Sequence, residues 1–425
     1  MFILYNILQL LFGILFFPFI LIFVLSSKKL RSRIPSRLGL DLNKQFLKTL
    51  SRTGPTFWIH ALSVGEVTSA RPLIKGLKKK YPESRIVLSV TTTTGKEIAR
   101  KLLGNTVEQI IDSPIDLLPI IYLYYRKIKP DVFILVETDF WPNILYFLRI
   151  MRTPTLLVNG RVSERSMVNY SKFRLFFKPM FQNFSSLCMQ TELDKKNMLN
   201  LGITPEKLFT PGNLKFDTHL EEENVKTNQS LSALLPPNKT IFIGGSTHEG
   251  EEAILLSVYA DLLKIHKDLY LILVPRNPKR TPEIQTTAER KSMKVCLRSS
   301  GKAERSDLFI VDTIGELTQF YALADIAFIG GSLVDKGGHN PIEAAAHSLP
   351  VMFGPHMQDF SEIANEMISS GGALMVTNQQ SLYNHTDKLL RDTEYRAQFG
   401  NSAFQFVHNQ YGVVARHLDI IDALL

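Results

Sequence analysis

Cysteine is scarce in this chain: Cys188 and Cys296 are the only two in 425 residues. Their wide separation argues against a disulfide framework and against a cysteine-based metal site, and it suits a reducing compartment. Neither a Walker A sequence nor a GxSxG elbow occurs, which argues against a P-loop NTPase and an α/β-hydrolase. His60, His248, His339 and His356 fall in separate loops without HExxH spacing. No metal and no other cofactor is therefore expected, and hydrogen bonding is the expected role of these imidazoles. Short-period repeats are also missing; only a βα pattern recurs. Basic residues are scattered and form no nucleic-acid module, so the net charge of +9 points to a membrane surface or an acidic substrate and not to nucleic acid. An apolar content of 45% with 21% charged residues describes a globular chain long enough for two domains.

Residues 1–26 are almost entirely apolar, including Leu10 to Phe17 and Phe19 to Leu25. That length matches the roughly 20 residues needed to cross a bilayer core. A basic n-region is lacking and the apolar run exceeds a normal h-region, so an uncleaved anchor is expected in place of a signal peptide. Lys28, Lys29, Arg31, Arg33 and Arg37 follow at once. The positive-inside rule then places the rest of the chain in the cytoplasm, with this cluster able to grip anionic headgroups of the inner membrane. Pro18, Asn6 and Gln9 leave open a helix that lies partly in the interface.

Beyond the anchor, apolar strand-like runs alternate with amphipathic stretches, the pattern of parallel sheets covered by helices. The predicted strands are 57–60, 85–90, 132–136, 155–158, 240–244, 269–274, 326–329 and 350–353. A polar, proline-punctuated segment at 221–239 separates two Rossmann-like domains, 27–220 and 240–425, and the last helix is a candidate to return to the first domain. Two such domains facing one another would place a ligand cleft at the carboxyl ends of their strands.

The segment from Phe328 to Ala346 reads as a buried strand, a glycine-rich loop and a helix start. Gly330, Gly331, Gly337 and Gly338 would let backbone approach an anion, and Pro341 suits a first helical turn. Amide groups and the helix end would then face a nucleotide phosphate, with Glu343 near enough to accept from ribose hydroxyls. The alternative is an ordinary strand-to-helix turn. Glu66 follows the first strand beside Gly65, as a general base or as an acid stabilised by the helix dipole. Glu137 and Asp139 follow another strand; capping by Thr138 or Asp139 would explain one acid and leave Glu137 unexplained. Lys215, in Gly212 to Asp217, suits a phosphate or a developing negative charge, or is a surface lysine. Gly244 to Glu252 is a second strand–glycine–helix junction with a possible cap. Arg276 lies just past a strand, suited to bidentate recognition of phosphate or a base carbonyl, or a surface arginine beside a proline turn. Asp312 to Leu317 offers loop backbone to a nucleotide, or a capped helix start.

Together these segments, with Val158 to Ser166 and the run to His356, resemble the Kdo transferase family, the 3-deoxy-D-manno-octulosonic acid transferases of lipopolysaccharide assembly. The resemblance covers nearly the whole chain. It implies an α/β GT-B glycosyltransferase with an N-terminal acceptor domain and a C-terminal domain binding CMP-Kdo. It implies inverting transfer of Kdo to the lipid A precursor, lipid IVA, at the inner leaflet. On this resemblance Glu66 is the general base, and Glu137 and Lys215 stabilise the transition state. The CMP contacts fall on Pro275 and Arg276, on Ile314, Gly315 and Glu316, and on Asn340, Pro341, Ile342 and Glu343. Lys215, Arg276 and helix N-termini would neutralise the leaving group without a metal. Asn277 stands where histidine is expected and Ala344 where proline is usual, which puts the local nucleotide geometry in doubt. Two rival readings are a GT-B enzyme that transfers or epimerises a UDP-sugar, and a membrane-tethered nucleotide-binding scaffold without catalysis.

Overall fold

The structure is a computed structural model and describes residues 2–42, 54–219, 231–301 and 306–425. The chain divides into two compact units, residues 1–218 with 412–425, and residues 219–411. Of the segment expected to connect two domains, residues 221–230 lie outside the described residues. In the remainder, Leu231 and Leu235 are buried, so this part packs and does not merely link. In the basic cluster after the apolar run, the side chains of Lys28 and Lys29 lie outside the described set.

The first unit holds seven parallel strands: β1 (Thr56–Ala61), β2 (Arg85–Val90), β3 (Gln109–Asp112), β4 (Val132–Val136), β5 (Thr155–Gly160), β6 (Ser186–Met189) and β7 (Leu208–Phe209). Their order is β3-β2-β1-β4-β5-β6-β7. Every residue of β1 and β4 is buried, as expected where helices cover both faces of a parallel sheet. The second unit repeats the plan with β8 (Thr240–Thr247), β9 (Leu269–Pro275), β10 (Val295–Leu297), β11 (Leu308–Ile310), β12 (Ile326–Ile329), β13 (Val351–Phe353) and β14 (Ala373–Met375). Its order is β10-β11-β9-β8-β12-β13-β14. In each sheet the order reverses at the first strand, between β1 and β4 and between β8 and β12. Ligands of open parallel sheets bind at such switch points, outside the carboxyl ends of the strands.

Helix Phe2–Ser26 is exposed along most of its apolar length and is long and apolar enough to cross a membrane. At the other end of the chain, helix Val413–Asp422 packs on helix Val64–Lys80 of the first unit. A Cβ on Gly76 would meet Val414 Cγ1 at 2.6 Å, so glycine permits the close crossing. Gly412 precedes the helix with φ 82° and supplies no side-chain cap. Asp217 provides the acceptors in its place, taking the Gly412 and Val414 amides at 3.0 and 2.6 Å. Removing that carboxylate leaves two buried donors without partners, at about 1–3 kcal/mol each. Asp217→Ala is therefore expected to lower the urea midpoint, and an unchanged midpoint would mean that apolar packing alone holds the helix.

Candidate active site

In the first unit, β1 ends at Ala61 and helix Val64–Lys80 begins after Ser63, whose hydroxyl accepts from the Glu66 amide at 3.5 Å. Glu66 sits in the first turn with only 4% exposure, and its Oε2 accepts from the Leu62 amide. Burial drives this carboxyl up to about 8, aided by the charges of Glu137 and Asp139 and opposed by the Leu62 hydrogen bond. A carboxyl tuned to that value exchanges protons near neutrality. The helix dipole and a raised proton affinity thus coincide at one residue.

Glu137 follows β4 with φ 61°, a left-handed conformation that costs a non-glycine residue about 1–2 kcal/mol. Its Oε1 accepts from Asn159 Nδ2 at 3.0 Å. Asn159 ends β5, also left-handed at φ 56° and fully buried. It takes the Leu214 amide on Oδ1 and the Gln190 side chain on its carbonyl, both at 3.0 Å. Gln190 in turn accepts from Asn213 at 2.9 Å, and Asn213 Oδ1 accepts the Lys215 amide at 3.0 Å. The Gly212–Asp217 segment is thereby fixed relative to Glu137 through Asn159. The sequence reading assigned Asn159 no role; an Asn-Gly pair at a strand end was its visible signal.

Asp139 is not a helix cap, since helix Pro142–Ile150 starts after Trp141 with no side-chain cap. Its Oδ2 meets His60 Nε2 at 2.8 Å and accepts from the Thr91 hydroxyl at 3.0 Å. His60 Nδ1 lies 2.9 Å from Ser89 Oγ, which also receives the Trp58 indole N–H at 2.9 Å. Burial would raise the Asp139 carboxyl, but the His60 hydrogen bond and charge, with Trp141 and Thr91, hold it below the usual range. The His60–Asp139 pair ties the end of β1 to the loop after β4, at the switch point beside Glu66.

In the second unit the glycine-rich loop differs from its expected role. The amides of Gly331, Ser332 and Leu333 do not await an anion; they donate to Glu251 at 2.7, 3.0 and 2.9 Å. The His248 amide completes the set at 2.9 Å. Glu251 is fully buried, and its carboxylate occupies the place expected for a phosphate. The following helix, Ile342–Ala345, has a single turn, so its dipole is small.

Above that loop, His248 Nε2 and His339 Nε2 lie 2.9 Å apart with their rings stacked. One ring must donate and the other accept, so at least one is neutral. Gly331, at φ 70°, makes room; a Cβ there would come within 3.2 Å of His339. Burial, then the charges of Arg276 and His248, push His339 down to about 4. Burial also lowers His248, opposed by the charge of Glu251 and aided by those of Lys336, Arg276 and Arg280. Arg276 acts on both histidines, while the loop amides are taken by Glu251.

Pro275 ends β9 buried and Arg276 is exposed beyond it, its amide bonded to the Thr247 carbonyl at 2.9 Å. After β11, Ile314 is 77% exposed and Gly315, at φ 97°, has open space where a Cβ would lie. Glu316 is held by Arg298 Nη2 at 3.0 Å and by the Thr313 hydroxyl. After β12, Asn340 Oδ1 accepts the Ile342 amide and Nδ2 donates to Glu343, each at 3.2 Å; Pro341 immediately precedes the one-turn helix. All nine residues expected at a nucleotide thus follow the carboxyl ends of β9, β11 and β12. Glu66, Glu137 and Lys215 follow β1, β4 and β7 of the first unit.

Residues 32–218 match the family described as 3-deoxy-D-manno-octulosonic-acid transferase (kdotransferase). A 3-deoxy-D-manno-octulosonic acid transferase of Haemophilus influenzae is 32% identical over 416 residues, 96% of each chain. One from Rickettsia bellii is 31% identical over the same share of both chains. Among solved structures, the UDP-GlcNAc 2-epimerase of Neisseria meningitidis superposes with a TM-score of 0.61. It does so over 87% of this chain and 99% of its own at 16% identity, a likeness of fold alone.

Two outcomes follow from these geometries. An amide at position 251 has one acceptor oxygen, and its NH2 would face two of the four backbone donors. Glu251→Gln is expected to cost about 2–5 kcal/mol, read as a lower urea midpoint; a loss under about 0.5 kcal/mol would show that the clamp is dispensable. For Glu66, the folded value near 8 lies above the ordinary 4.5, so the folded state binds the extra proton. Stability from this group is full below the ordinary value and falls as pH rises to about 8. The melting temperature of Glu66→Gln relative to the parent should therefore climb between pH 5 and 8 and then level off, whereas parallel curves would place Glu66 in the ordinary range.

Proposed function

The chain belongs to the 3-deoxy-D-manno-octulosonic acid (Kdo) transferase family, and from this we propose that it transfers Kdo from CMP-Kdo to lipid IVA with inversion, at the cytoplasmic face of the inner membrane. The observation that carries the reading is Glu66, a buried carboxyl raised to about 8 at the carboxyl edge of the first sheet. An acceptor hydroxyl bound there would pass its proton to Glu66 as its oxygen attacks the anomeric carbon of Kdo. The bond to CMP breaks, and its electron pair leaves with the phosphate oxygen. Glu137, anchored by Asn159, would oppose the positive charge that builds on the sugar. Lys215 and Arg276 would counter the negative charge on the departing phosphate.

For the donor, Arg276 and the electropositive ground around His248 and His339 support phosphate binding. The open Gly315 backbone and exposed Ile314 would contact the base, and Glu343 the ribose. The apolar N-terminal helix and the net positive charge support attachment to anionic membrane, where a lipid acceptor resides.

Mass spectrometry of lipid IVA incubated with CMP-Kdo and the protein should show the mass of added Kdo; an unaltered acceptor despite clear CMP binding would favour a non-catalytic scaffold. Glu66→Gln should bind CMP-Kdo as the parent does while transfer falls by roughly 10²–10⁴-fold, and near-parental turnover would remove Glu66 as the base. CMP should raise the melting temperature more than UDP does; the reverse order would favour a UDP-sugar enzyme.

A further inference from the structure

Helix Phe2–Ser26 carries polar side chains in its first three turns, and each has a partner on the first unit. The Tyr5 hydroxyl donates to Asp116 Oδ2 at 3.1 Å and Asn6 Nδ2 to Asn143 Oδ1 at 2.8 Å. Gln9 Nε2 donates to the Asp116 carbonyl at 2.9 Å, and Asn143 Nδ2 returns a bond to Gln9 Oε1 at 3.1 Å. The receiving side is a built site. Asn143 is fully buried and Asp116 nearly so, and Asp116 also takes the Asn143 and Ile144 amides at 3.0 Å. Phe2 stacks on Tyr146, and Tyr5 lies against Phe176. Phe2, Tyr5, Asn6, Gln9 and Gly13 are half-buried at helical spacing, so one face of the first turns lies on the protein. Leu10, Leu11, Ile14, Leu15 and Phe17 stay exposed.

The helix that follows, Lys28–Arg37, returns to the same stretch of chain. Arg33 Nε donates to Asp112 Oδ1 at 2.9 Å, and Arg37 Nε to the Ser113 carbonyl at 3.1 Å. Asp112, Ser113 and Asp116 belong to one short stretch at the end of β3. A helix that crossed a bilayer would hold its two ends about 30 Å apart on opposite sides. The roughly seven residues from Ser26 to Arg33 span at most about 25 Å even when extended, and they are largely helical from Lys28 onward. They cannot carry the chain back across. Crossing would also strip Asp116 and Asn143 of their Tyr5, Asn6 and Gln9 partners, at a cost in lost hydrogen bonds.

We propose that this helix attaches the protein to one leaflet without crossing the bilayer, with Tyr5, Asn6 and Gln9 latching its start to Asp116 and Asn143. Its partner is the surface of a bilayer containing anionic lipid. The neighbouring segment supports this: Val168, Phe173 and Leu175 are exposed, Leu175 at 91%, and they alternate with Lys172 and Arg174. Apolar side chains for the acyl boundary and cations for headgroup phosphates are what an in-plane membrane face requires.

The inference rests on the membrane attachment proposed above, and the two fail differently. Sedimentation of the full chain with phosphatidylglycerol vesicles tests attachment itself. Topology is read with a polar tag bearing one cysteine placed ahead of Met1, compared with Ser27→Cys, both in a Cys296→Ser background and labelled by a membrane-impermeant maleimide. In sealed inside-out inner-membrane vesicles both cysteines should label at least tenfold more than in right-side-out ones. Any other ratio for the tag, while Ser27→Cys keeps its own, would overturn one-leaflet attachment. Asn6→Leu with Gln9→Leu should raise labelling of the tag from the far side severalfold; an unchanged ratio would overturn the assignment of the latch.

Discussion

Strand ends and helix starts leave backbone amides without partners in their own element, and in this protein carboxylates take several of them. Glu251 holds four, from the start of its own helix and from the loop after β12. Asp217 and Asp116 hold two each. Asp194 takes the Val162 amide at 2.7 Å, and Asp325 takes that of Ile241 at 2.8 Å. The Glu251 clamp matters most, because it fixes two strand ends against each other at the switch point of the second sheet. Arg276, the histidine pair and the 340–343 turn are all positioned on what it holds. At the first sheet Glu66 takes a single backbone amide, from Leu62, and Glu137 a side-chain amide from Asn159.

The two sheets share a further device with opposite electrostatic results. At each switch point a histidine at the end of the first strand meets a residue that follows the strand across the switch, β4 in the first unit and β12 in the second. In the first unit the partner of His60 is Asp139, and Glu66 nearby has its proton affinity raised by burial, with Glu137 and Asp139 adding to it. In the second the partner of His248 is His339, and arginine and lysine neighbours make protonation unfavourable. One topology thus carries two different partners for a histidine at corresponding places, a carboxylate in one unit and a second imidazole in the other.

Long apolar runs such as 132–136 and 269–274 were legible as strands because a strand buried on both faces needs no alternation. Gln109–Asp112, Leu208–Phe209, Val295–Leu297 and Ala373–Met375 were not, since two to four residues carry no period. At the site, the placement of Glu66 was readable from the strand before it and Gly65 beside it. Its raised proton affinity was not, because that depends first on burial in the folded unit and then on Glu137 and Asp139, which follow a different strand. The glycine loop was misread for the same reason: local sequence shows that amides converge, while the group that fills them, Glu251, sits some 80 residues earlier in a segment that reads only as a helix start. Asp139 looked like a cap until His60 was placed beside it.

The helix Val413–Asp422 completes the first unit after the chain has built the second. At a synthesis rate of about 5–20 residues per second, roughly 190 residues intervene, a delay of about 10–40 s. Throughout that interval the surface of helix Val64–Lys80 around Gly76 lies bare and the acceptors of Asp217 wait unfilled. The first half of the nascent protein therefore leaves the ribosome as an incomplete domain with an open apolar seam. Its closure waits for a segment made after the whole of the second unit.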